Sequence, residues 1–167
     1  MKLQSSKLVD WLESRTLHPA NLKAWREQAA QKGLRIATLN GSFDLMHSGH
    51  LEIIYEASQQ ADILVVGLNT DASIKKYKSA NRPIIPLQDR LAMMAALAMV
   101  DYVSYFDETD PIEWLKKIKP HVHVNGIEYG ENCIEAPIVK EMGGRLHLVD
   151  RSNGASTSGI IERIRAL

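Results

Sequence analysis

The chain has 167 residues, 45% of them hydrophobic, which is enough for one buried core and too short for two domains of ordinary size. Twenty lysine and arginine residues balance twenty aspartate and glutamate residues, so the composition argues against nucleic acid or an anionic membrane surface as a partner. No signal peptide opens the chain and no apolar run approaches the roughly eighteen residues that span a bilayer. We therefore expect a cytoplasmic protein whose partners are small molecules or copies of itself.

The first segment of the chain predicts two short helices. Apolar residues recur at helical spacing between Ser6 and Lys32, in two groups that Pro19 separates. We expect a helical extension over residues 1–33, followed by the main domain over residues 34–167. Its tryptophans, Trp11 and Trp25, could pack against a second copy or back onto the same domain, and the sequence leaves both arrangements open.

From residue 35 onward, short apolar runs alternate with helical patterns. Predicted strands run from Arg35 to Asn40, Asp62 to Leu68, Tyr102 to Phe106, His121 to Val124 and Arg145 to Val149. Predicted helices run from about Gly49 to Gln60, Leu87 to Met99, Pro111 to Ile118, Ile134 to Met142 and Ser156 to Ala166. This alternation predicts an α/β fold with a doubly wound parallel sheet of five strands and helices on both faces. Ligands of such sheets bind beyond the carboxyl ends of the strands, where the strand order reverses.

The loop after the first predicted strand reads NGSFDLMHSGH, residues 40–50. Gly41 and Gly49 permit a close approach of the backbone to a bound group, and the helix that begins near Gly49 directs unpaired N–H groups at it. His47 and His50 flank that glycine and can each donate a hydrogen bond to a phosphate oxygen. The loop therefore predicts an anion site.

Zinc is the competing interpretation of these histidines. A zinc site needs further ligands at fixed spacing, but no cysteine pair or third histidine is framed in that way. His121, His123 and His147 fall inside predicted strands. The single cysteine, Cys133, cannot form an internal disulfide, and no pattern around it indicates a catalytic thiol.

Two further segments carry phosphate-binding chemistry. Lys75, Lys76 and Lys78 follow the second predicted strand, in what we expect to be a loop directed at the same crevice. Near the end of the chain, a helix start holds Ser156, Thr157 and Ser158, which could cap the helix or form a second anion site.

Five segments in order resemble the His-x-Gly-His nucleotidyltransferases of the cytidylyltransferase type, and among them the bacterial heptose 1-phosphate adenylyltransferases. They are NGSFDLMHSGH at 40–50, NTDASIKKYKSANRPIIP at 69–86, Asp89-Arg90 with ALAMVD at 96–101, VNGIEY at 124–129 and ASTSGII at 155–161. The resemblance implies a Rossmann-like fold and transfer of an adenylyl group from ATP, carried with Mg²⁺, to heptose 1-phosphate. The products would be pyrophosphate and ADP-heptose for the lipopolysaccharide core.

The resemblance also implies roles for individual residues. His47 and His50 would hold the α- and β-phosphates, and Lys75 would be the third catalytic residue. Nucleotide-binding positions would be Asn40, Gly41, Ser42, Phe43, Gly49, Gly126, Arg151, Ser156, Thr157 and Ser158. The substrate-phosphate end would hold Asp44, Lys78, Arg82 and Arg90, with Asp44 fixing the loop or the attacking side. No protein ligand set for a metal is implied, and assembly into a homodimer or larger homo-oligomer is expected.

Two alternatives accompany this interpretation. A cytidylyltransferase acting on glycerol 3-phosphate or a similar small phosphate is the nearest, since Arg151 is similar to the arginine that opens this motif in the glycerol phosphate enzymes. Asn125 also stands where heptose enzymes commonly have a lysine. A nucleotide-binding regulator without turnover is the alternative from another class.

Overall fold

The computed structural model describes residues 6–150 and 156–167. Across these residues, six parallel strands form one sheet in the order β1-β4-β3-β2-β5-β6. They are β1 (Thr16–Leu17), β2 (Ile36–Gly41), β3 (Ile63–Asn69), β4 (Tyr102–Phe106), β5 (Val122–Gly126) and β6 (Arg145–Val149). The parallel α/β fold is confirmed, and the predicted count of five strands is corrected to six. The additional strand, β1, has two residues that pair with Val103 and Ser104, which is too short for any periodicity to reveal.

The described ranges contain eight α-helices and a short 3-10 helix, Ile127–Tyr129. The α-helices are α1 (Ser6–Arg15), α2 (Leu22–Gln31), α3 (Ser48–Ser58), α4 (Asp71–Tyr77), α5 (Leu87–Ala95), α6 (Ile112–Ile118), α7 (Ala136–Glu141) and α8 (Thr157–Arg165). Helix α4 replaces the predicted lysine-bearing loop. Its start is defined by Thr70, whose side chain accepts a hydrogen bond from the N–H of Ser73 at 3.2 Å.

The helices cover both faces of the sheet. Leu12 of α1, Ile54 of α3 and Met94 of α5 are buried against one face. The opposite face is covered by α2, α6 and α7, which contribute Leu22 and Trp114 among other buried residues. Burial of each such side chain contributes about 1.5–3 kcal/mol. Both N-terminal helices therefore pack onto the same domain, which is one of the two arrangements that the sequence left open.

The strand order reverses between β2 and β5. From β2 the chain proceeds outward through β3 to β4, whereas β5 and β6 lie on the other side of β2. The carboxyl ends of these two strands carry Asn40 and Gly41 on β2 and Asn125 and Gly126 on β5. A ligand crevice is expected at this position in a doubly wound sheet.

Below this crevice, a histidine is buried in the sheet. Nδ1 of His123 on β5 lies 2.9 Å from Oγ1 of Thr38 on β2, and both residues are fully buried. Burial lowers the pKa of His123 to about 3, because the charged imidazolium has no water around it. The ring is therefore neutral in the folded protein at ordinary pH.

A buried aspartate ties the loop between β2 and α3 to the segment that precedes α5. The carboxylate of Asp44 accepts hydrogen bonds from Arg82 Nε at 2.7 Å and from the backbone N–H groups of Ile84 and Ile85, each at 2.9 Å. Burial by itself raises the pKa of Asp44, but these two N–H groups and the Arg82 guanidinium outweigh it and lower the pKa below the ordinary value.

A buried arginine completes this connection. Nη1 of Arg90 donates to the carbonyl oxygens of Ser42 at 2.7 Å and Asn69 at 2.9 Å. Its Nη2 lies 2.7 Å from Oδ1 of Asp71, and its Nε donates to the carbonyl oxygen of Ile85 at 2.9 Å. One side chain thus joins the carboxyl ends of β2 and β3 to the start of α4 and to the segment before α5.

The buried histidine predicts a dependence of stability on pH. The unfolded chain protonates this side chain near pH 6.5, whereas the folded chain does so only near pH 3. Between these values the free energy of unfolding should rise with pH, by at most about 1.4 kcal/mol per unit from this group, and should fall on acidification. Urea unfolding of the wild type and of His123→Asn at pH 7 and pH 5 measures this contribution. An equal pH dependence in both proteins would contradict it.

The carboxylate in the β2–α3 loop gives a second prediction. Asp44→Asn should lower the free energy of unfolding at pH 7 by roughly 1–3 kcal/mol, because charge-assisted hydrogen bonds in a buried site are lost. The wild-type stabilisation is present above the ordinary aspartate pKa and is lost as pH falls through the lower folded value. The difference should therefore close in acid. Glu113→Gln, which removes the exposed ion pair with Lys116, is the matched control and should change stability little.

Candidate active site

The two histidines of the loop lie side by side at the start of α3. The ring centroids of His47 and His50 are 4.0 Å apart, with 36° between the ring planes. The backbone N–H of His47 donates to Nδ1 of His50 at 3.3 Å, and the His50 ring packs edge-on against Phe43, with centroids 5.5 Å apart. Both imidazoles are only partly buried, so a ligand at the helix start can reach them.

The backbone of this loop is held in an unusual conformation. Phe43 has φ 47° and Leu45 has φ 54°, in the left-handed region that residues with a side chain rarely adopt. Each such residue costs roughly 1–3 kcal/mol, and strain of this kind persists where surrounding contacts fix it. The contacts of Asp44, which lies between the two, supply that fixation.

The predicted second anion site lies against the same loop. Oγ1 of Thr157, in the first turn of α8, donates to the carbonyl oxygen of Asp44 at 3.0 Å. Ser156 caps this helix and accepts a hydrogen bond from the N–H of Gly159 at 3.0 Å, while Ser158 is exposed. The N-termini of α3 and α8, which both favour anions, are therefore joined through one loop. Arg151 lies outside the described residues.

A cavity of about 430 Å³ opens at the carboxyl ends of β2, β3 and β5. Of the predicted site residues, its lining includes Asn40, Gly41, Ser42 and Lys78. Nζ of Lys78 donates to Oγ of Ser42 at 2.9 Å. Partial desolvation lowers the pKa of Lys78 because it disfavours the charged ammonium group, and the positive charge of nearby Arg82 lowers it further.

Other predicted residues have different surroundings. Lys75 is exposed on α4 and is absent from the part of the cavity lining that the structure describes. Arg82 and Arg90, which we predicted at the substrate phosphate, form ion pairs with Asp44 and Asp71. A side chain at Gly126 would meet the carboxylate of Glu128, which is exposed and would have to move aside.

Several cavity residues were not predicted from the sequence. They include Asn69, Tyr77, Asp110, Asn132, Cys133 and Glu135. Asn69 could have been found as the last residue of a buried strand, and Tyr77 as a neighbour of the lysines. Glu135 falls within a predicted helix with no motif around it, so the sequence carries no signal for its position.

Two features are absent from residues 6–150 and 156–167. No three histidine, cysteine, aspartate or glutamate side chains there are grouped so that they could hold a metal ion. In the same ranges, no helix has the length and apolar character needed to cross a membrane.

Comparison with other proteins identifies curated relatives. The chain is 41% identical over 139 residues to "Bifunctional protein HldE" of Syntrophotalea carbinolica, which covers 83% of this chain and 28% of the relative. The protein of the same name from Magnetococcus marinus is 37% identical over 164 residues, covering 98% of this chain and 32% of the relative. The chain thus spans about a third of the length of these relatives.

Two solved structures are also similar. The lipopolysaccharide core biosynthesis protein from Thermoplasma volcanium superposes with a TM-score of 0.59 at 26% identity, covering 72% of this chain and 98% of that one. Pantoate-beta-alanine ligase from Francisella tularensis shares the fold, with a TM-score of 0.64 at 15% identity over 86% of this chain and 69% of that one.

The family comparison covers most of the domain. A model of the family described as cytidylyltransferase-like matches residues 38–163, a range that includes the histidine loop, the cavity and the start of α8. The chain therefore belongs to the cytidylyltransferase-like family of nucleotidyltransferases.

Proposed function

We propose that the chain transfers an adenylyl group from ATP to heptose 1-phosphate, releasing pyrophosphate and forming ADP-heptose for lipopolysaccharide core synthesis. Support comes from the curated relatives and from the similar lipopolysaccharide core biosynthesis protein. The observation that carries the proposal is the hydrogen bond from Thr157 to the carbonyl oxygen of Asp44, because it joins two anion-binding helix starts at one loop.

In the proposed reaction, an oxygen of the sugar phosphate attacks the α-phosphorus of ATP. The bond from that phosphorus to the bridging oxygen breaks, and pyrophosphate leaves with the bonding electrons. Such transfers depend mainly on positioning and on neutralisation of phosphate charge. His47 and His50 would donate hydrogen bonds to oxygens on which charge develops, and the Ser156–Ser158 turn would bind the outer phosphates.

The acceptor would occupy the cavity beyond β2, β3 and β5. Lys78 is a cation in its lining and would bind the phosphate of the acceptor, with Ser42 beside it. The ammonium group and a phosphate would attract each other at this position. Asp44, Arg82 and Arg90 would act as positioning residues that fix the loops around both substrates.

Magnesium would enter this site with ATP. Mg²⁺ takes oxygen ligands and keeps several of its waters, so it requires only one or two protein oxygens beside the phosphates. The carboxylate of Asp110 in the cavity lining fits that donor set. The bound ion would neutralise charge on the phosphate oxygens.

The proposal predicts the outcome of a pairwise substrate assay. Pyrophosphate release should require heptose 1-phosphate together with ATP, because both charged substrates must occupy the joined sites before attack. ATP and CTP are each combined with heptose 1-phosphate and with glycerol 3-phosphate, and pyrophosphate is measured. Release with CTP and glycerol 3-phosphate alone would favour the cytidylyltransferase alternative. ATP binding without product under every condition would favour a regulator.

Light scattering of the same samples tests the predicted homo-oligomer.

Single substitutions test the proposed roles. His47→Ala and His50→Ala should each lower kcat by about 10²–10³-fold, as loss of one preorganised donor does.

Lys78→Ala should raise the KM for the sugar phosphate. Lys75→Ala tests the catalytic role that the resemblance implies for Lys75, and Lys76→Ala, at an exposed lysine on the same helix, is the matched control. A drop in kcat for Lys75→Ala with no effect of Lys78→Ala would reverse the roles proposed for the two lysines.

A further inference from the structure

A buried carboxylate lines the proposed acceptor cavity. Glu135, at the start of α7, is 7% exposed and lies in the cavity wall together with Asn125 and Cys133. The wall of this cavity thus contains a basic side chain, Lys78, and an acidic side chain, Glu135. Nothing in the proposed transfer of the adenylyl group requires a carboxylate at this position.

The neighbours of Glu135 satisfy only part of its hydrogen-bonding capacity. Nδ2 of Asn125 donates to Oε2 of Glu135 at a long 3.4 Å, while Oδ1 of the same amide accepts from the N–H of Gly126 at 3.1 Å. Burial, and then the adjacent Glu135 carboxylate, raise the pKa of the Cys133 thiol, so the thiol stays protonated at neutral pH. Within the described ranges, no lysine, arginine or histidine forms an ion pair with Glu135.

An ionised carboxylate accepts hydrogen bonds at about four lone-pair positions. The long amide contact and the weak thiol donor leave acceptor positions of this carboxylate available to a ligand in the cavity. A phosphate would be repelled by this carboxylate and attracted by Lys78. Hydroxyl groups are neutral donors that suit the carboxylate, and the neighbouring amide of Asn125 can bind a further hydroxyl.

We propose that Glu135 and Asn125 form a specificity-determining pair that binds hydroxyl groups of the acceptor. The acceptor is then a phosphorylated polyol. Lys78 binds its phosphate, and Glu135 binds its hydroxyl groups. This inference rests on the proposed function and adds the basis on which the acceptor is selected. A site built to hydrogen-bond a substrate hydroxyl discriminates strongly against analogues that lack it, because its own polar groups are then left unpaired.

The test compares Glu135→Gln with the wild type, using the full chain. Glutamine keeps the shape of the side chain but removes the charge and one acceptor oxygen. We expect kcat/KM for heptose 1-phosphate to fall roughly 10- to 100-fold through a higher KM, with the Kd for ATP unchanged. Exposed Glu131, in the same segment, provides the matched control Glu131→Gln, which should behave as wild type. Equal kcat/KM for Glu135→Gln and wild type would overturn the inference.

A binding experiment separates this inference from the proposed function. Calorimetric titration measures the Kd of heptose 1-phosphate, and of a deoxygenated alkyl phosphate, for the wild type and for Glu135→Gln. The wild type should prefer the polyol, and the variant should lose that preference. If the wild type binds the polyol in this way without turnover, the function fails while the inference stands. Absence of binding by any phosphorylated polyol, or a preference unchanged in the variant, would overturn the inference. Preference for an amino-sugar phosphate over the polyol would also overturn it.

Discussion

The carboxylate of Asp44 is the interaction on which the geometry of the site depends. It holds the loop after β2 from within, through three hydrogen bonds to the segment before α5, and two residues in left-handed conformations flank it. Its own carbonyl oxygen receives the hydroxyl of Thr157. One residue therefore fixes the backbone between the histidines and the sheet, and also connects α8 to that backbone. The negative charge of Asp44, which would repel a phosphate, is thus used in hydrogen bonds to other parts of the protein.

Much of the architecture could be predicted because its signals are strong. The run at residues 63–66 is rich in β-branched residues and lies between helix patterns, which favours a buried parallel strand. The histidine loop could be placed at the carboxyl end of β2 because glycines and a helix start follow a buried strand. The meeting of this loop with the serine- and threonine-bearing turn, about 110 residues later, followed from the resemblance, and the contact itself required the structure.

Three features of the structure have no local signal in the sequence. Strand β1 has two residues, and its pairing with β4 is set by how the N-terminal helices pack. Arg90 donates to the carbonyl oxygens of Ser42 and Asn69, which lie far from it in the chain, and its role at the substrate phosphate stays a prediction. Glu135 was overlooked because a single acidic residue in a helical pattern is ordinarily solvated. Burial and long-range contacts decide each case, and neither can be read from short windows of sequence.

The small strand β1 also shields the sheet from other chains. An uncovered edge strand offers a row of free N–H and C=O groups that can pair with a neighbouring molecule and lead to aggregation. Thr16 and Leu17 occupy part of that edge on β4, and Arg15 beside them donates to the carbonyl oxygens of Ala95 and Val100. The N-terminal segment thus protects this edge of the sheet against aggregation, in addition to its apolar packing. Any shortened form that lacks it would present β4 to intermolecular β-pairing.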